Sequence, residues 1–83
     1  METVKILEIL GDSPMARSQA KTIAKILPHQ GNIQVDFKDV QIVGQGFADQ
    51  LFRVFKNEHP NVNLIPINMS EDVEFMVRHV GGI

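Results

Sequence analysis

The residue pattern predicts an α/β fold: a small sheet covered by helices, in the order strand, helix, strand, short extended piece, helix, strand, helix. Three observations carry this. Short runs rich in Val, Ile and Phe alternate with longer stretches whose apolar residues recur three and four apart. Each run closes on a cluster of Gly, Pro, Asn or Asp. No repeat, linker or low-complexity tract divides the 83 residues, so residues 1–83 read as a single domain.

Val4 to Leu10 reads as the first strand, with Val4 and Ile6 on one face and Lys5, Leu7 and Ile9 on the other. Gly11, Asp12, Ser13 and Pro14 close it. Residues 15–27 read as a helix with Ala16, Ala20, Ile23 and Leu27 on its buried stripe, widened by Ala24 and Ile26. Ser13 capping a helix with Pro14 at its first position is one start; a start near Ala16 is the other. Pro28 stops the helix. Ile33, Val35 and Phe37 alternate as one face of a second strand. Lys38-Asp39 forms a turn, and Val40, Ile42 and Val43 make a short extended segment.

A helix then runs from about Gly46 to Glu58. Ala48, Leu51, Phe52 and Phe55 line its inner face; Asp49, Gln50, Arg53, Lys56 and Asn57 line its wet face. Val62 to Ile67 reads as a third strand, placed at an edge or made irregular by Pro66. Ser70 caps a last helix with Val73, Met76, Val77 and Val80 inward, and Gly81-Gly82 closes it.

Composition narrows the functional classes. The formal net charge is −2, which argues against a dedicated nucleic-acid binder. No apolar run approaches the roughly 20 residues of a membrane span, and Met1 to Lys5 does not resemble a signal peptide. No cysteine is present, so neither a disulfide nor a thiolate metal site is expected, which fits a cytoplasmic protein.

Two surfaces stand out. The first is Gly44-Gln45-Gly46 ahead of a helix, continued by Asp49, Gln50 and Arg53. Its plain reading is a tight turn, its chemical reading a backbone anion site, and its third reading a partner surface. Asp49 stands where a dinucleotide fingerprint needs its third glycine. The second is the basic face of Arg17, Lys21 and Lys25, four residues apart on the first helix. His29, His59 and His79 stand alone in the sequence, and no serine has a visible base partner. No catalytic residue, metal ligand or cofactor site is expected.

The segment Asp36 to Phe55, reading DFKDVQIVGQGFADQLFRVF, resembles the STAS-like domain family of unknown function. Arg17-Ser18-Gln19-Ala20-Lys21 and Leu64-Ile65-Pro66-Ile67-Asn68 are similar to the same family's motifs. The wider resemblance is to STAS domains of anti-sigma-factor antagonists. There, an Asp-Ser-Ser-Gly turn follows the strand, and a histidine-kinase-like ATPase phosphorylates a serine in it. Placed on this chain, the aspartate falls on Gly44, the phosphorylated serine on Gln45 and the second serine on Gly46. Gln45 cannot accept phosphate. The resemblance therefore implies a regulatory, non-catalytic protein–protein interaction module, with a kinase-like ATPase or a second copy of the chain as partner. A small-anion- or nucleotide-binding enzyme built on the Gly44–Gly46 turn is one alternative, and a nucleic-acid-associated regulator using the basic face is the other.

Overall fold

A computed structural model describes residues 1–83. Three parallel strands, β1 (Glu2–Lys5), β2 (Gly31–Asp36) and β3 (Val62–Ile67), form one sheet in the order β1-β2-β3. Its register sets Glu2 beside Ile33 and Ile33 beside Leu64. Val4, Ile33, Val35, Val62 and Leu64 share the buried face; the opposite face carries Thr3, Lys5, Asn32, Gln34, Asp36 and Asn63 with the half-buried Ile65 and Ile67, and contains no buried residue. Pro66 lies in an edge strand, where a missing N–H costs least.

The first strand is shorter than its apolar run suggests. β1 ends at Lys5, and Ile6–Leu10 form a short helix, α1. Lys5 pairs with Asp36, the last residue of β2, so beyond it the backbone has no neighbouring ladder. Local helical bonds satisfy those groups instead, and Gly11, at φ 84°, donates its N–H to the Leu7 carbonyl. Ile6 is buried, whereas Leu7 and Ile9 face outward.

Helix α2 (Arg17–Ala24) starts after Ala16, not at Ser13-Pro14. The Gln19 side chain reaches back and accepts from the N–H groups of Met15 and Ala16, at 2.8 and 2.9 Å. Ala20, Ile23 and Leu27 are buried as the periodicity requires. Ala16, just before the regular helix, and Ile26, two residues past its end, are exposed, whereas Leu27 beyond them is buried.

The long helix has three parts: α3 (Gln45–Asp49), a π-helical stretch (Gln50–Phe55) and a final turn, α4 (Lys56–Glu58). Phe47, Ala48, Leu51, Phe52 and Phe55 are its buried residues. The last helix, α5 (Glu71–His79), is capped by Ser70, whose hydroxyl accepts from Val73 N–H and donates to the Gln41 carbonyl. It ends in a Schellman motif: Gly82 N–H meets the Val77 carbonyl, Gly81 N–H meets that of Arg78, and Gly81 takes φ 82°. The helices pack on the apolar sheet face around a single core of 19 buried residues.

Candidate partner-contact surface

The segment from Val40 to Val43 joins no strand, although it runs beside other backbone. Gln41 N–H donates to the Asp12 carbonyl at 2.8 Å, Gly44 N–H to that of Pro14 at 2.9 Å and Phe47 N–H to that of Met15 at 3.2 Å. The loop before α2 and the turn before α3 are thus bonded backbone to backbone. Gly44 makes this possible by its size. Its φ of −79° suits any residue, but a Cβ there would lie 2.4 Å from the Met15 carbonyl oxygen. Gly46 is different, because a Cβ there would sit at ordinary contact distance, 3.6 Å from the Arg17 nitrogen. The N–H groups of Gly44, Phe47 and Ala48 are committed to carbonyls, which weakens the reading of this turn as an anion cradle.

One turn further on, the two surfaces singled out in the sequence meet. Asp49 lies between two arginines. Arg53 donates from Nε and Nη2 to both of its oxygens, at 2.5 and 2.9 Å, and Arg17 donates from Nη1 at 2.8 Å. Arg17 also reaches the Gln50 side-chain oxygen at 3.3 Å. The Asp49 side chain is only 15% exposed, so it does not project freely into solvent. The hydrogen bonds from Arg53 and then Arg17 hold its carboxyl well below the usual carboxylate range. Gln45 and Arg53 remain exposed, while Gly44, Gly46 and Gln50 are half-buried.

The model of the family described as STAS-like domain of unknown function matches residues 20–74, more than half of the chain. The chain belongs to that family. No curated protein matches it, and no solved structure does. The matched part of this STAS-like domain begins inside α2 and contains the turn, the long helix and β3, so Gly44 to Arg53 lies within it.

Lys21, in α2, and Lys25, the residue just past its end, follow Arg17, and both are exposed. Two of the three histidines do not stand alone in space. His29 and His59 stack with ring centroids 4.2 Å apart, and His59 in turn lies 4.6 Å from the Phe55 ring. His79 is elsewhere, beside Phe75. At the far end of the sheet, Asp36 accepts from the Asn68 amide and the Lys38 N–H, which lowers its pKa. That arrangement ties the ends of β2 and β3 together.

Sequence reasoning missed two members of the surface. Met15 and Ile42, on the paired segments, remain 45% and 38% exposed. Neither was assigned to a buried helical stripe, and that was the available signal. The Arg17–Asp49 bond joins residues 32 apart and has no sequence signature.

Proposed function

We propose that this STAS-like domain is a non-catalytic protein-interaction module. Its partner-facing surface is the turn and helix start from Gly44 to Arg53, widened by Met15, Arg17 and Ile42. The observation that carries this reading is the exposure of Met15 and Ile42 on two segments locked backbone to backbone beside the Arg17–Asp49–Arg53 cluster. Apolar anchors next to arginine are the usual centre of a protein interface. Holding them rigid in the free protein lowers the ordering cost of association. Gln45, at the position where the antagonists carry phosphoserine, contributes an amide, so any regulation acts by some means other than phosphorylation at that position.

The test is affinity capture from native extract, followed by titration calorimetry with the captured partner. The first candidate is a histidine-kinase-like ATPase. Gln45→Glu places a charge of nearly equal size in the surface and is expected to weaken binding about 5- to 150-fold, roughly 1–3 kcal/mol. Circular dichroism checks the fold of each variant. Unchanged affinity for Gln45→Glu, Met15→Asp and Arg53→Glu would place the interface elsewhere. Capture of a second copy alone would identify the partner as this chain itself.

A further inference from the structure

Beside the surface just described, α2 and the C-terminal half of the long helix enclose an open groove of about 470 Å³. Lys21 and Lys25 form one wall, Gln50, Glu58 and His59 the other, and His29 closes one end by stacking on His59. The charge in this groove is unbalanced. Among the cations of this region, Arg17 and Arg53 share the one carboxylate of Asp49, and neither lysine has a carboxylate within ion-pair distance. Two ammonium groups therefore face a single carboxylate, Glu58, in a chain whose formal net charge is −2. Gln50 belongs to both regions: it accepts from Arg17 and lines the groove.

We infer that this groove binds an extended acidic segment of the partner protein, with carboxylates on alternate residues. The spacing fits. Residues four apart on a helix are displaced by about 6 Å along its axis, and alternate residues of an extended chain by about 6.6 Å. Successive carboxylates on one side of an extended segment thus fall in step with Lys21 and Lys25. The groove is open and elongated, running beside the long helix from Gln50 to His59. Two lysine heads on separate flexible stems suit carboxylates strung along a peptide, one to each ammonium group. The inference rests on the proposed interaction role and names the chemistry of the partner.

The experiment is an NMR titration of the intact chain with three probes at low salt: a peptide alternating Glu and Thr, a peptide of the same composition with its glutamates consecutive, and inorganic tripolyphosphate. The alternating peptide is expected to shift the amides of Lys21, Lys25, His29 and Gln50 and to bind more tightly than the consecutive one. Its affinity falls as salt rises. The double variant Lys21→Glu, Lys25→Glu, checked for folding by its spectrum, is expected to lose about tenfold or more, whereas Gln45→Glu changes the peptide affinity by less than about twofold. Equal binding of the two peptides, indifference to the lysine reversals, or tighter binding of tripolyphosphate through the same lysines would each overturn the inference. Because Gln45 lies outside the groove, failure here with Gln45→Glu still weakening the captured partner would leave the interaction surface standing and remove only the acidic segment.

Discussion

Replacing Gly44 by alanine separates two reasons for a glycine in this turn. If backbone freedom were the requirement, the cost would come from a left-handed conformation; Gly44 has φ −79° and ψ 158°, which alanine adopts without strain. The cost comes instead from the methyl group, which would lie 2.4 Å from the Met15 oxygen and 2.8 Å from its Cα. Both neighbours are backbone, so relief requires the two paired segments to move apart. That strains the bonds from Gly44 N–H to Pro14 and from Phe47 N–H to Met15. Overpacking contributes roughly 1–3 kcal/mol, and each weakened hydrogen bond about 0.5–1.5 kcal/mol. The less flexible unfolded chain returns about 0.4–1 kcal/mol, so a net loss of about 2–4 kcal/mol is expected. Gly46→Ala is the internal control, since its methyl meets nothing closer than 3.6 Å and lies within the helix. It is expected to be neutral or stabilising by up to about 1 kcal/mol. Urea unfolding followed by circular dichroism measures both. A Gly44→Ala loss below about 0.5 kcal/mol, or one no larger than that of Gly46→Ala, would refute the argument from close approach.

Two further outcomes follow from the packing and the ion cluster. Phe52→Ala is expected to cost roughly 3–5 kcal/mol, because the ring is buried, lies 6.2 Å from Phe37 and is covered by Gly82 of the C-terminal cap; a loss below about 1 kcal/mol in denaturant unfolding would place it outside the core. Asp49 has a folded-state pKa depressed by Arg53 and Arg17, so its contribution is complete above the unfolded carboxylate value near about 3.9 and is lost as pH falls below it. Asp49→Asn is therefore expected to be less stable than the parent at neutral pH and to lose less stability on acidification. Parallel acid limbs in urea midpoints measured from neutral pH to about pH 2 would contradict this.

Where an element's own residues carry both its periodicity and its stop signals, the sequence was enough to read it. Ser70 and Gly81 bracket α5 as cap and left-handed terminator, and Ala48, Leu51, Phe52 and Phe55 mark the buried stripe of the long helix, all as their spacing indicates. The first strand could not be read this way. Ile6 to Leu10 is equally apolar as strand or helix, and the choice depended on whether β2 extended far enough to pair with it. For the same reason, the long helix showed no sign of its π-helical stretch, because the inward residues of the two helix types overlap over six positions.

By itself, then, the chain determined the class of the fold, the three strands and three longer helices in their order, most of the core and the two surfaces worth watching. Each of these follows from local patterning, in which a residue's role is set by neighbours three or four positions away. Only the tertiary structure decided that those surfaces adjoin, through Arg17. Arg17 reaches Asp49 across 32 residues, the segments that carry Met15 and Ile42 are bonded backbone to backbone, and His29 stacks on His59. It also decided why Gly44 must be glycine, since the carbonyl that excludes a side chain there belongs to Met15, a residue that no local pattern places beside it.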